Sequence, residues 1–389
     1  MARSRTRNRK PRAVPDRGAA LGPLRLAGLP SFSDLSPSPE QLDAFARQAA
    51  RLEGDASLPG EPVLGCVVRL DRGYPVVATE RATLRCEYGQ GLSSLKTDAR
   101  AAVGDWVVCR ATEGHDAGLL LEGVLPRRSD IARWRGGPRG EHQTLAANVD
   151  VVLVAQPLSR REVLVDRIAR SVVVALDCGA EAAVVLTKAD RCPDAAWLAG
   201  QVALVREVLG GSVPVTCTAA EEREGYAGAA RGAGAGWGVA EVRALVPEGR
   251  VAIMLGESGA GKSTLLNALF GEDVLEVGGV RASDDAGRHT TVSRRMVRLA
   301  GAGVVVDEPG LRSLPLVGHE RGLAKAFPDV AEVARACRFR DCTHTGEPGC
   351  GVRAALAAGA FPEARLDAYL SLAREMRESS EGLAPDVVI

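Results

Sequence analysis

The sequence predicts a multidomain α/β protein: a small N-terminal β-barrel, a central, mostly parallel sheet with helices on both faces, and a helical C-terminal segment around a cluster of metal ligands. Three observations predict it. Short apolar runs punctuated by Gly73, Gly89, Gly91, Gly104 and Gly114 fill residues 62–125, with no helical period between them. From Asn148 onward, apolar runs alternate with helical stretches, the signature of βαβ units. Near the end, Cys337, Cys342, His344 and Cys350 fall within fourteen residues.

Composition bounds the rest. A chain of 389 residues has room for two or three cores. Its 49 basic and 49 acidic residues cancel, so no global field draws it to nucleic acid or membrane, and local clusters must carry any such partner. No apolar run reaches the roughly 18 to 20 uncharged residues of a spanning helix, because even the 171–186 stretch carries Asp177 and Glu181. The basic N-terminus has no apolar stretch behind it, which argues against a secretory leader. Nine cysteines, three of them clustered, fit a reducing cytoplasm and a metal site rather than disulfides.

Taken in order, residues 1–60 read as a disordered basic tail and connecting segment. Arg3, Arg5, Arg7, Arg9, Lys10 and Arg12 supply phosphate affinity, although a merely solubilising tail is the competing reading. Residues 61–130 hold strands at 63–70, 74–78, 82–88, 106–109 and 118–124, a pattern that suggests an OB-fold. Arg127, Arg128, Arg133, Arg135 and Arg139 then stand against Asp130 alone, either as a phosphate-contacting edge or as a solvated linker. In residues 131–320, strands are expected at 149–156, 181–186, 213–217, 251–255, 292–299 and 304–306, with helices at 162–177 and 194–209 and a Gly/Ala-rich loop at 225–238. Residues 321–389 form a C-terminal helical region.

Four motifs carry chemistry. Residues 256–263 read GESGAGKS directly after an apolar strand, a phosphate-cradling loop. The amides of Gly256, Glu257, Ser258, Gly259, Ala260 and Gly261, with Thr264 in the first helical turn, favour anions. Lys262 is placed to reach the β- and γ-phosphates and Ser263 to coordinate Mg²⁺. Thr187, Lys188, Ala189 and Asp190 fit a guanine-reading tetrapeptide: the carboxylate accepts from N1–H and the N2 amine, whereas adenine lacks that donor pair. Residues 307–310 read DEPG at a strand end, where Asp307 can hold Mg²⁺ through water and the Gly310 amide can meet the γ-phosphate. Residues 287–291 read GRHTT, a switch-like segment whose Thr290 and Thr291 offer hydroxyls to Mg²⁺.

The order of these motifs is unusual, since Lys188 precedes Lys262 by 74 residues while common GTPases place the guanine motif after the phosphate loop. On that order, and on residues 103–107, 125–129, 146–150, 187–190, 256–263, 287–291, 307–310 and the cysteine cluster, the chain resembles the ribosome small-subunit-dependent GTPase A (RsgA/YjeQ) family of circularly permuted GTPases. The resemblance spans about residues 62–375. It implies an OB-fold barrel, a permuted P-loop GTPase domain and a C-terminal zinc-binding helical domain. It further implies a cytoplasmic monomer that hydrolyses GTP, binds the small (30S) ribosomal subunit and its rRNA, assists late maturation, and releases on hydrolysis to GDP.

Three thiolates and an imidazole complete a tetrahedral Zn²⁺ shell with no open position, so Cys337, Cys342, His344 and Cys350 should form a structural site. Nearby Arg353, Arg365 and Arg374 are candidates for RNA contact. Many GTPases place a water-orienting Gln where this chain has Leu311, so another group must act, and His289 is the catalytic candidate to which the resemblance also points. The family has Thr where this chain has Glu308, whose charge would repel a γ-phosphate unless it points away, and a third Thr where this chain has Val292. Two other classes compete. One is an RNA-binding or chaperone module that senses nucleotide but hydrolyses poorly. The other is a P-loop kinase, which would leave residues 187–190 unexplained.

Overall fold

The computed structural model describes residues 28–55, 60–71, 74–89, 92, 100–111, 118–135, 141–271, 294–308, 316 and 318–381. Six strands form the N-terminal unit: β1 (Pro62–Asp71), β2 (Tyr74–Thr79), β3 (Thr83–Arg85), β4 (Glu87–Tyr88), β5 (Trp106–Ala111) and β6 (Leu119–Val124). β1 pairs antiparallel with β2 and with β5, β2 with β3, β5 with β6, and β4 pairs parallel with β6. Only Cys86 separates β3 from β4, so the pairings run round a ring. Inside it, Val67, Val77, Cys86, Val107, Cys109 and Leu121 are fully buried. Alternate residues of each strand supply them, as a half-buried pleated surface requires.

Part of the expected disordered segment is folded. Residues 1–27 lie outside the described residues, but Pro39–Glu53 form helix α1. Ser38 caps it in a reciprocal box with Gln41, and Pro39 occupies the first turn. The buried Gln41 donates to Pro126 O and Asn148 Oδ1, both at 2.9 Å, so the helix straps the barrel to the next unit. The stretch after the barrel is likewise no linker: β7 (Asp130–Arg135) and β8 (Glu141–Ala147) form a hairpin. Three of its cations are engaged, while Arg139 lies outside the described residues. Arg127 binds Asp105 through Nε and Nη2, both at 2.8 Å, Arg128 pairs with Asp150 at 3.0 Å, and Arg133 donates to Gln143.

The central sheet runs β12-β11-β10-β9-β13-β15-β14, built from Gly236–Trp237, Val215–Cys217, Glu181–Thr187, Val151–Pro157, Val251–Leu255, Val304–Asp307 and Arg294–Arg298. All neighbours are parallel except β14, which is antiparallel to β15. The two faces follow the strand period of two. Val152, Val154, Val184, Leu186, Ile253 and Val306 face helices α2 (Val165–Asp177) and α3 (Ala195–Leu209). Val151, Leu153, Val185, Ala252, Met254 and Val305 face α5 (Val239–Ala244) and α6 (Lys262–Phe270). The Gly/Ala-rich stretch expected as a loop contains helix α4 (Tyr226–Gly232) and strand β12, because Tyr226 and Ala230 are buried against the α2/α3 face.

β14 also pairs antiparallel with β1, Arg69 opposite Arg295 and Leu70 opposite Arg294, so barrel and parallel sheet share one hydrogen-bonded ladder. Helices α7 (Glu320–Ala326), α8 (Pro328–Ala334), α9 (Gly351–Ala357) and α10 (Glu363–Glu381) complete the chain on the α2/α3 side. Asp177, at the end of α2, accepts from Gly322 N at 2.8 Å and pairs with His319 at 3.0 Å. Arg365, a candidate RNA contact, is instead buried: it donates to both Asp329 oxygens and to Val208 O and Ala326 O, and stacks on Phe327. Among the described residues, no helix is long and apolar enough to cross a membrane.

Candidate nucleotide site and metal centre

β13 is buried along its length and ends at Leu255, so the chain emerges at the carboxyl edge of the sheet, where open α/β sheets bind ligands. A side chain at Gly256 would meet Ala155 O at 2.5 Å, which explains a glycine at the first turn. Gly261 stands at φ 83 immediately before α6, a conformation that costs L-residues energy and aims the helix at the loop. The first-turn amides of Lys262, Ser263 and Thr264 lie ahead of any intrahelical acceptor and, with the helix dipole, favour an anion there. Ser263 and Thr264 are exposed. Lys262 folds back on the loop, its Nζ donating to Gly256 O and, at 2.9 Å, to Glu257 O. A phosphate entering this cradle would take over that ammonium as a charge-assisted partner.

Residues 187–190, the candidate guanine-reading segment, close on the same loop. Thr187 is buried, and its hydroxyl donates to Ala260 O at 2.6 Å. Lys188 sits at φ 59, and its Nζ reaches Gly259 O. Burial, then neighbouring Arg191, pulls its amine below the usual lysine value. Asp190 lines a cleft of about 530 Å³ with Ser159, Arg160, Arg161, Arg191 and Arg223. Two contacts bring in a segment the sequence reading missed. Ala189 N donates to Thr218 O, and Ala220 N donates to Asp190 Oδ1, both at 3.0 Å, so the turn after β11 fixes the Asp190 carboxylate. A small-residue turn directly after a core strand was its only sequence signal.

Asp307 ends β15, the parallel neighbour of β13, and so shares the edge with the phosphate loop. Arg295 on β14 lies 3.8 Å from it. The neighbouring Glu308 does not aim freely at a phosphate: its Oε2 pairs with Arg294 Nε at 2.7 Å and its side chain is 6% exposed. Burial pushes this carboxyl up to about 7, with Arg294 and then Arg133 pulling the other way. His289, Thr290, Thr291, Val292, Gly310 and Leu311 lie outside the described residues.

The family model described as RsgA GTPase matches residues 124–317. A protein of Streptomyces coelicolor, named small ribosomal subunit biogenesis GTPase RsgA, is 41% identical over 86% of this chain and 83% of its own length. The chain belongs to the RsgA GTPase family. A second relative, small ribosomal subunit biogenesis GTPase RsgA 2 of Lactiplantibacillus plantarum, is 33% identical over 85% of this chain and 88% of its own. In fold, this RsgA-family GTPase is similar to YjeQ from Thermotoga maritima, with a TM-score of 0.57 and 24% identity over 81% of this chain and 99% of that one. It is equally similar to YloQ, a circularly permuted GTPase, with a TM-score of 0.56 and 22% identity over 82% and 96% of the two chains. The permuted motif order of the sequence is thus carried by a sheet of the same build.

In this family member the C-terminal ligand set is drawn together. One donor atom from each of Cys337, Cys342, His344 and Cys350 lies within 4.8 Å of all the others. Cys337 and Cys350 sulfurs are 4.0 Å apart, and each is 3.5 Å from His344 Nδ1. A tetrahedral ion with Zn–S of about 2.3 Å and Zn–N of about 2.0 Å requires edges of about 3.8 and 3.5 Å, so the set fits Zn²⁺. Backbone donors suit thiolates here: Gly351 N points to Cys337 Sγ at 3.3 Å and Arg353 N to Cys350 Sγ at 3.5 Å, with Cys350 capping α9. Burial lowers the His344 value and so favours the neutral ring a metal needs. Arg353 Nε donates to His344 O at 2.8 Å, which ties the ligand loop to α9. Glu347, which the sequence reading passed over, shapes the loop by accepting from Thr343 N, Thr345 N and Gly346 N.

Proposed function

We propose that this GTPase binds the small ribosomal subunit, assists its late maturation and leaves on hydrolysis of GTP. The observation that carries the reading is the closure of residues 187–190 on the phosphate loop, Thr187 to Ala260 and Lys188 to Gly259. It couples guanine reading to phosphate binding in one rigid edge, in a chain whose relatives are named for small-subunit biogenesis. Asp190 would take the guanine N–H edge, Lys262 the β- and γ-phosphates, and the Gly310 amide the γ-phosphate. Ser263, Thr290, Thr291 and Asp307 would hold Mg²⁺, which when bound neutralises the charge that develops on the phosphates. With Leu311 in place of a glutamine, His289 orients the attacking water. Cys337, Cys342, His344 and Cys350 hold one structural zinc ion.

The strand ring of residues 61–130 is an OB-type barrel in this reading, its β4–β6 parallel pair closing the ring, and it offers a face to rRNA. Residues 131–320 form the permuted GTPase domain, and residues 321–389 the zinc domain. The protein acts as a cytoplasmic monomer. GTP turnover with and without isolated small subunits tests the proposal: subunits should raise the rate, and ATP should not compete. Negligible turnover at saturating subunits would favour the nucleotide-sensing RNA chaperone instead.

A further inference from the structure

The described residues expose four large apolar side chains, and only one is aromatic: Phe339, at 42%. It lies between Arg338 and Arg340 on the loop that joins zinc ligands Cys337 and Cys342. That loop is tied back on itself and to its neighbour. Cys337 and Cys342 anchor its ends, Cys342 N donates back to Phe339 O at 3.4 Å, and Arg338 N donates to Gly349 O at 3.1 Å. Core packing therefore does not explain the ring, and its backbone is held where solvent reaches it.

The charge around it is selective. The Arg338 guanidinium carbon stands 5.5 Å from the Phe339 ring centroid, and both Arg338 and Arg340 are exposed. Neither is paired with a carboxylate among the described residues. Nearby Arg335 is paired with Glu332 at 2.9 Å, and the Glu347 carboxylate is already occupied by backbone amides. Asp341 is the one acidic neighbour on the loop and is exposed. An exposed aromatic ring with the Arg338 guanidinium over it and an exposed Arg340 next in sequence, on a loop between two candidate zinc ligands, matches the chemistry of unpaired nucleic acid: a base stacks on the ring while phosphates meet the cations. A duplex offers no free base face, and an acidic protein surface would leave the ring without a reason to stand out.

We infer that Phe339, with Arg338 and Arg340, is a stacking platform for an unpaired RNA base. The RNA-directed function proposed above supplies its natural partner, but the platform itself can be tested apart from the ribosome. The test compares full-length, zinc-loaded wild type with Phe339→Ala, Phe339→Trp and the Arg338→Gln/Arg340→Gln pair, with zinc content and unstimulated GTP turnover checked for each. Affinity for a short single-stranded oligouridylate should fall about tenfold or more in Phe339→Ala, since each stacked base contributes on the order of 1–3 kcal/mol, and Phe339→Trp should retain it. The arginine pair should flatten the salt dependence of binding. Equal oligonucleotide affinity in wild type and Phe339→Ala, with zinc intact, overturns the platform. If that equality is accompanied by weaker binding to isolated small subunits, Phe339 touches a protein instead, which also overturns it. Oligonucleotide binding that depends on Phe339, in a protein that small subunits neither bind nor stimulate, would uphold the platform and overturn the proposed function.

Discussion

Lys262 donates to the carbonyls of Gly256 and Glu257, which holds its ammonium at the loop where phosphate charge would arrive. Lys262→Ala should weaken GTP binding by about a hundredfold, measured by titration with a fluorescent analogue, because a charge-assisted contact is lost with nothing to replace it. Asp190 is held by Ala220 N on one oxygen, which pre-orients it toward a base edge. Asp190→Asn should cost roughly ten- to a hundredfold in GTP affinity and narrow the preference over ATP, since one guanine donor would face an amide donor. A competition assay showing unchanged preference would contradict that role. His289→Ala should lower subunit-stimulated turnover while leaving GDP affinity nearly unchanged; an unaffected stimulated rate would remove His289 from the mechanism. Glu308, beside Asp307, is turned to Arg294, its Oε2 2.7 Å from Arg294 Nε.

At the scale of elements, the C-terminal helices depend on two fasteners. Arg365 binds Asp329 with two hydrogen bonds of 2.7 and 2.8 Å while also meeting α3 and α7 through backbone oxygens. Burial alone would raise the Asp329 carboxyl, but the Arg365 bonds outweigh it and hold it below the usual value of 3.8. A depressed folded value stabilises above the unfolded one and is lost as pH falls through the folded one. The melting-temperature gap between wild type and Asp329→Asn should therefore be widest near neutrality and close as pH drops below about 4. The second fastener is the 337–350 loop, whose Cys337, Cys342, His344 and Cys350 fit a zinc ion. Prolonged chelation should release the zinc, seen with a colorimetric indicator, and melt the 337–350 region in hydrogen exchange without changing GTP affinity. These elements also show what the residues made legible. Contiguous strings such as 187–190, 256–263 and the cysteine cluster carry their chemistry in their own order, so they could be read directly. The turn at 217–220 could not, because its contribution is a backbone amide delivered by the sheet. Arg127 and Arg128 were read as surplus charge because their partners Asp105 and Asp150 lie 22 residues away. The helix at Pro39–Glu53 hid in a Pro/Ser-rich stretch, although its Ser38–Gln41 capping box was there to find.

Across the whole molecule, permutation puts residues 307–310 directly ahead of the C-terminal helices, which are bound to α2 through Asp177, Gly322 and His319. Exchange of GDP for a GTP analogue should change the position or protection of those helices, measured by solution scattering or hydrogen exchange; identical profiles in both states would rule out this route of coupling. The opposite flank is joined to the central sheet by a shared strand. β14 begins directly after residues 272–293, which contain the switch-like segment, and it is laddered on one side to β15 and on the other to β1 of the barrel. A strand shared in this way would pass twist applied at its entry to the barrel through the pairs Arg69–Arg295 and Leu70–Arg294. The barrel's angle to the subunit would then be geared to whatever the nucleotide does at residue 294.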